Sequence, residues 1–141
     1  MKDPSAEIYD SFELQLATLT YGSKTVPVYQ SLAEVKQGDY VLLDSLEFID
    51  AIDDTHFASD CTMRIEIKCG PYHQQGKMNK LFAISSSIMQ LVIKQAFTIT
   101  GFTMDVTPFI ETSRNYEERI PDENKIFKIK EIIIKFHVQE T

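Results

Sequence analysis

The chain has 141 residues, a formal net charge of -7 and 43% hydrophobic residues. A chain of this length folds as one domain and buries about two-thirds of the surface that its unfolded form exposes, so residues 1–141 are predicted to form a single domain. The acidic balance argues against a protein that binds a nucleic-acid backbone through a basic surface. The sequence has neither a run of about 18 apolar residues nor a signal-peptide core, so we expect an intracellular protein without a membrane partner.

The first third of the chain predicts one helix followed by short strands. Apolar residues recur every three or four positions over residues 5–19, and Gly22 ends that pattern. Residues 26–29 form a short apolar run in which Pro27 cannot donate to a strand ladder, which predicts a strand at an edge of the sheet or at the start of pairing. Residues 40–43 predict another strand, whereas residues 46–52 fit neither the helical nor the strand period.

The clearest strand of the sequence is residues 61–69, where apolar and polar residues alternate without exception. Its two ends are Cys61 and Cys69, whose Cα atoms would lie about 26 Å apart on a straight strand. That separation far exceeds the limit of about 7 Å for a disulfide. We therefore interpret both cysteines as small buried apolar residues in a reducing compartment.

The second half predicts a long helix and then mostly strands. The period changes to three or four residues between Met78 and Ile93, which indicates an amphipathic helix of about five turns. Residues 97–106 predict a strand with a bend at Gly101, and residues 126–138 predict a final strand whose phase change suggests a bulge near Lys130 and Glu131. The predicted fold class is α+β, with one long and one shorter helix packed on a mostly antiparallel sheet.

The polar segment between these last two strands, residues 108–124, is predicted to be a loop. It is long for a plain connection, and loops of such length are usually binding elements or are mobile until they bind. We therefore expect it to be an interface or a mobile segment.

Acidic residues are concentrated in the middle of the chain. No lysine or arginine occurs between Lys36 and Arg64, an interval that contains seven acidic residues: Asp39, Asp44, Glu47, Asp50, Asp53, Asp54 and Asp60. Carboxylates with an imidazole such as His56 can hold a divalent metal, but the spacing matches no metal-binding motif and residues 50–61 lack a glycine. We interpret the run as a solvated acidic loop and predict neither a metal nor a cofactor.

Catalytic motifs are also missing from the sequence. His56, His73 and His137 belong to no HExxH, Cys-His or GxSxG pattern, and the five glycines form no phosphate-binding loop. Residues 85–87 are three serines within the predicted long helix, where small side chains allow the helix to lie close to the sheet. We therefore predict no catalytic residue and no enzymatic activity.

Positive charge is concentrated in the last third of the sequence. One interpretation is that these charges only interact with solvent, as most surface charges do. The alternative is that copies of the chain meet head to tail, one copy's basic segment contacting the next copy's acidic one, which is a contact that closes into a ring. The basic residues are Arg114, Arg119, Lys125, Lys128, Lys130 and Lys135.

The order of these elements resembles the tail terminator, or tail-completion, proteins of long-tailed double-stranded DNA bacteriophages and related head-to-tail joining proteins. The resemblance covers nearly the whole chain and lies in the pattern of elements. It comprises the helix over residues 5–19 leading into residues 26–29, the strand 63–67 with its glycine-containing loop, the helix 78–93, the strand 97–106, a charged loop, and the final strand 132–140.

This resemblance implies a virion protein without enzymatic activity that assembles as a ring, usually a hexamer. The ring would form in the host cytoplasm and lie at the neck or the top of the tail, where it stops tube growth. Its implied partners are further copies of itself, the tail tube protein, and the head-tail connector or another portal-side neck protein. DNA would pass through without specific binding.

Residues 37–60 are longer and more acidic than the strand-turn-strand expected for this family. We hypothesise that acidic residues line or rim the channel, so that DNA passes without being bound; the candidates are Glu47, Asp50, Asp53 and Asp54. The candidates for the interface with a subunit or partner are Glu111, Arg114, Glu117, Glu118, Arg119, Lys128 and Lys130.

Other functions remain open from the sequence alone. Another neck, connector or minor tail ring protein of the same virion would have a similar pattern. A small intracellular binding module would be a stable monomer with a pocket, and a metal-dependent enzyme would carry a stoichiometric metal and lose its activity without Asp53 and His56.

Overall fold

The computed structural model describes residues 2–32, 38–49, 56–72 and 78–141. Two α-helices, α1 (Ser5–Gln15) and α2 (Asn79–Val92), are accompanied by seven strands and a 3-10 turn at Pro121–Glu123. The strands are β1 (Thr20–Tyr21), β2 (Lys24–Thr25), β3 (Val28–Tyr29), β4 (Tyr40–Ile49), β5 (Ala58–Tyr72), β6 (Phe102–Ile120) and β7 (Lys125–Glu140). Neither helix of the described residues is long and apolar enough to cross a membrane.

Strands β3 to β7 form a five-stranded sheet in the order β3-β4-β5-β7-β6, and β1 and β2 form a separate small hairpin. Every neighbouring pair in the large sheet is antiparallel except β3 and β4, which are parallel. The predicted α+β class with a mostly antiparallel sheet is therefore confirmed. The edge position predicted for residues 26–29 is also confirmed, because β3 lies at one end of the sheet.

Strand β5 forms the centre of the hydrophobic core, as its alternation predicted. Both helices pack on the face of the sheet that its odd-numbered residues share. Phe12 of α1 contacts the rings of Phe97 and Phe136 at centroid distances of 4.8 and 5.3 Å. Burial of a large apolar side chain stabilises a fold by about 1.5–3 kcal/mol, so this layer supplies much of the driving force. The fully buried apolar residues that β5 contributes to this layer are Cys61, Met63, Ile65, Ile67 and Cys69.

The long helix was predicted correctly, and the first helix is shorter than predicted. Helix α2 buries Leu81, Ile84, Ser85, Ile88 and Val92, which follow the predicted helical spacing. Helix α1 ends at Gln15 rather than near residue 19. Leu16 and Leu19 nevertheless stay buried, because the chain turns there and inserts both side chains into the core.

The predicted loop at residues 108–124 is wrong. Most of that segment belongs to β6, which runs for 19 residues and forms a long hairpin with β7, connected by the turn at Pro121–Glu123. The strand was missed because β6 is an edge strand and Phe109 to Asn115 are all exposed, so its sequence lacks the alternation that a half-buried strand shows. Conversely, residues 97–101 are not part of a strand, and β6 begins only after a turn at Gly101, which has φ +82°.

The predicted bulge near Lys130 and Glu131 is also wrong. Pairing of β7 with both neighbours is continuous there, and the register shifts lie instead on β6, between Met104 and Thr112, and on β5, between Cys69 and Tyr72. The phase change in β7 has another cause. Five consecutive residues of β7, Lys128 to Ile132, are buried, because this strand is central in the sheet and neighbouring side chains cover both of its faces.

Candidate assembly surface

All seven predicted interface residues lie on the β6–β7 hairpin, at the edge of the sheet farthest from β3. Their exposure differs widely. The side chains of Arg114 and Arg119 are 68% and 60% exposed, whereas Lys128 is only 2% exposed. Lys130 is also buried, with its ammonium 5.6 Å from the ring centroid of Phe82 on α2. The two lysines therefore belong to the packing of the chain itself.

The basic residues of the hairpin are paired within the same hairpin. Arg114 contacts Glu131 at 3.4 Å, Arg119 contacts Glu117 at 3.1 Å, and Lys135 contacts Glu111 at 3.3 Å. Lys125 contacts Glu123 at 3.1 Å. The hairpin is therefore not a free positive patch, and Arg114 and Arg119 are the most exposed of its paired cations.

Glu117 and Lys128 form the most enclosed of these pairs. They are direct cross-strand neighbours on the helix-side face, and the Lys128 ammonium donates a hydrogen bond to a carboxylate oxygen of Glu117. The bond to Lys128, followed by one from Arg119, lowers the pKa of Glu117. The pair thus supplies the charge that a buried ammonium requires.

The opposite face of the sheet carries no helix and is covered by charged and aromatic side chains. At its centre Glu131 of β7 lies between Arg64 of β5, at 3.8 Å, and Arg114 of β6, at 3.4 Å. Arg64 also reaches Asp44 of β4 at 4.0 Å, so one network of charges crosses four strands. We call this surface the helix-free face.

Burial and neighbouring acidic groups raise the pKa values of two residues on the helix-free face, Glu66 and Tyr40. Burial, followed by the charge of Asp44, raises the pKa of Glu66. Burial and the nearby charge of Glu66 raise the pKa of Tyr40 to about 12, and Glu118 of the distant strand β6 contributes to the same shift. Electrostatic interactions on this face therefore extend from β4 to β6.

Only one of the four predicted channel residues can be placed. Glu47 is exposed near the end of β4 and pairs with Thr62, which assigns it to the helix-free face. Asp50, Asp53 and Asp54 lie outside the described residues, as does His73.

Large apolar side chains are exposed at both edges of the sheet, and sequence reasoning missed them. Phe48 and Ile49 at the end of β4 are 36% and 47% exposed, and Val106, Phe109 and Ile110 of β6 are 46%, 45% and 36% exposed. Residues 46–52 fit neither period, and only residues 102–106 of β6 lie within the strand predicted for residues 97–106, so the sequence does not reveal these open edges. The sequence feature that could have indicated these exposed edges is isolated apolar residues within polar segments, such as Phe109 and Ile110.

The described part of the chain holds no group of three or more His, Cys, Asp or Glu side chains arranged for a metal. Burial raises the pKa of both Cys61 and Cys69 to about 12, so both remain thiols at neutral pH. An open cleft of about 410 Å³ lies between the β1–β2 hairpin and Lys80. There the Lys80 ammonium donates to the Asp39 carboxylate, so these two charges neutralise each other, and Lys24 adds one further positive charge to the lining.

Comparison with solved structures is informative about the fold. No protein-family model and no curated protein matches the sequence. The fold is similar to that of a chain in a solved structure described as the virion of a native gene transfer agent (GTA) particle, with a TM-score of 0.71 and 12% sequence identity. The match covers 99% of both chains, so the entire fold, including the long hairpin, has a counterpart in a protein of that virion.

Proposed function

We propose that this chain is a structural protein of a virion and that it forms a ring, most simply a hexamer, at the head-proximal end of a phage tail tube. There it would end tube growth and join the tail to the head connector, without enzymatic activity. The observation that carries this proposal is the similarity of the whole fold to a chain of a virion. The order of elements in the sequence, which resembles tail terminator proteins, supports the more specific role.

The arrangement of the sheet suits a ring. A head-to-tail contact needs two different surfaces on opposite sides of a subunit, and copies that use them close into a ring when the rotation permits. β4, with its acidic residues, and β6, with its exposed arginines, lie toward opposite edges of the same sheet. The acidic residues of β4 and the arginines of β6 are thus separated in space, although β6 also carries four acidic residues: Asp105, Glu111, Glu117 and Glu118.

The helix-free face is the surface that we propose for the channel wall. Its charges are mostly paired with one another, and Glu47 adds an exposed negative charge. A wall of this kind offers few unpaired cations to DNA phosphates, so the release of counterions that drives binding would be small. DNA would therefore move past it without adhering.

Deletion of the gene from the phage that carries it tests this role. We expect heads and tails that fail to join, with tail tubes of uncontrolled length in electron micrographs, and expression of the wild-type chain should restore normal particles. Tails of normal length that remain detached would contradict the terminator role and favour a neck ring. Normal infectious particles would contradict both.

A further inference from the structure

We propose that the ring closes by strand pairing, with β6 of one copy adding to residues 43–49 of β4 in the next copy. This inference rests on the proposed ring and specifies the surfaces that form it. The partner is a second copy of the chain, and the contact extends the five-stranded sheet from one subunit into its neighbour.

Both edges have backbone available for pairing. β3 pairs only with Val41 and Leu42 of β4, so residues 43–49 have no strand on that side among the described residues. At the other end of the sheet β6 pairs only with β7. The Pro108 carbonyl accepts a hydrogen bond from the Lys94 N–H at 2.8 Å, so the free edge of β6 starts at Phe109. Open edges of this length are templates for another strand.

The strand directions agree with this pairing. β4, β5, β7 and β6 are joined by three successive antiparallel pairs, so β4 and β6 run in opposite directions. When a neighbouring copy is placed beside the first in the same orientation, its β4 therefore lies antiparallel to the first copy's β6. The contact continues the pattern of the sheet without inverting a subunit.

The exposed apolar residues of the two edges lie at the same end of the sheet. Register across the strands connects Glu47 through Thr62 and Lys135 to Phe109. Placed edge to edge at this level, Phe109 and Ile110 of one copy would lie opposite Glu47 and Leu46 of the next, with Ile49 and Phe48 as their diagonal neighbours on the same faces. Cross-strand and diagonal aromatic pairs of this kind lie within contact distance, and the pairing would remove both patches from water.

The two edges carry opposite charges farther along the strands, near Asp44 of β4 and Arg114 of β6. Register connects Leu42 through Glu66 and Glu131 to Arg114, so Arg114 lies level with Leu42, two residues before Asp44, on the opposite edge. The only charged residues of β4 are Asp44 and Glu47, both acidic. The highly exposed Arg114 of one copy would therefore lie near Asp44 of the next, and this match favours a second copy over an unrelated partner.

Disulfide trapping tests the contact directly. Ser45 and Thr112 are level on the helix-free face, connected through Arg64 and Ile133. Within one copy they are three strand spacings apart, about 14 Å, which is too far for a disulfide. The double variant S45C/T112C can therefore cross-link only between copies. The native cysteines are buried and do not compete.

We expect oxidation of concentrated S45C/T112C to give a ladder of covalent oligomers that ends at a closed ring. A second pair, E47C/T112C, covers a stagger of two residues between copies. The single variants should give no ladder, and neither should L14C/T112C, in which Leu14 of α1 is 77% exposed but away from both edges. Absence of a ladder from both edge pairs, or an equal ladder from the control, would overturn the proposal.

The outcome is separable from that of the proposed virion role. A ladder from purified protein together with normal particles after gene deletion would support the strand contact and contradict the tail role. Failure of trapping together with detached, overlong tails would support the tail role and overturn this contact.

Discussion

Glu117 and Lys128 face each other across the β6–β7 hairpin, and the lysine is almost completely buried. The hydrogen bond from the ammonium to the carboxylate neutralises a charge that would otherwise be buried without a partner. The pair therefore joins β6 to β7 by a side-chain contact in addition to their backbone pairing.

Glu117→Gln should therefore lower the thermal unfolding midpoint by several degrees, because Lys128 loses its counter-charge. Folding lowers the pKa of Glu117, so its stabilisation is present above the ordinary pKa of about 4.3 and is lost as the pH falls through the folded value. The difference between wild type and variant should be constant near neutral pH and disappear in acid. The control is Glu118→Gln, which alters a more exposed pair with Lys68; an equal loss in both variants would contradict this explanation.

Glu66→Gln should stabilise the fold at neutral pH. Burial and the charge of Asp44 raise the pKa of Glu66 in the folded state, so its ionised form opposes folding. The wild type should therefore gain stability as the pH falls from neutral through this raised pKa toward about 4.3, and the variant should lose that gain. Urea unfolding at several pH values measures it. Glu47→Gln, at an exposed position, is the control, and parallel pH profiles for wild type and E66Q would contradict the prediction.

Gly70→Ala should destabilise the junction of β5 and β7. Gly70 has φ +133°, and an added Cβ would lie 2.9 Å from the carbonyl oxygen of Ile126 and 3.1 Å from Cδ1 of Phe127. The backbone conformation alone costs a non-glycine residue about 1–3 kcal/mol, and the clash with a backbone atom adds to it. Gly22→Ala is the matched control, since Gly22 has φ +65° but nothing within 4 Å of the added Cβ.

Urea unfolding should therefore show a loss of free energy for G70A that exceeds the loss of about 1 kcal/mol expected for G22A. Equal losses in the two variants would mean that β7 does not approach Gly70 as closely as the structure has it.

Reversing the charge of either Asp44 or Arg114 should weaken assembly, and mixing the two variants should restore it. Asp44→Arg places two positive charges at each contact between copies, and Arg114→Asp places two negative ones, so each variant alone should assemble less well by up to about 1 kcal/mol per contact. In an equimolar mixture the two variants can alternate around a ring. Each contact then joins either the native Arg114 with the native Asp44, or an aspartate introduced at position 114 with an arginine introduced at position 44. Rings should therefore return, with an even number of subunits.

Light scattering after size exclusion, at low and high salt, measures this rescue. Salt should weaken wild-type assembly and the rescue alike, because both depend on exposed charges. Circular dichroism controls for loss of the fold, since Asp44 and Arg114 also contact Arg64 and Glu131. A mixture that assembles no better than its components would contradict the pairing of Arg114 with Asp44.

The sequence predicted those elements whose two faces differ in burial. β5 and α2 each have one face in the core, so the side-chain period was visible in residues 61–69 and 78–93. Residues 108–120 of β6 were predicted as a loop because an edge strand exposed on both faces, as it is near Arg114, has no such period. Its role as a sheet edge depends on the order β5-β7-β6, which no local pattern encodes.

The candidate site was predicted only in outline. The hairpin charges were identified, but the burial of Lys128 and the pairing of Arg114 with Glu131 depend on cross-strand register. Val106 and Ile49 lie on different edges, and only the folded sheet brings them to the same level.

Labelling of the protein in assembled particles tests the central claim most directly. A tag on the exposed turn at Pro121–Glu123, detected by gold-conjugated antibody in electron micrographs, should mark a single position at the junction of head and tail. Label along the tail shaft, at the distal tip or on the capsid surface would contradict the account, as would particles that contain none of the protein.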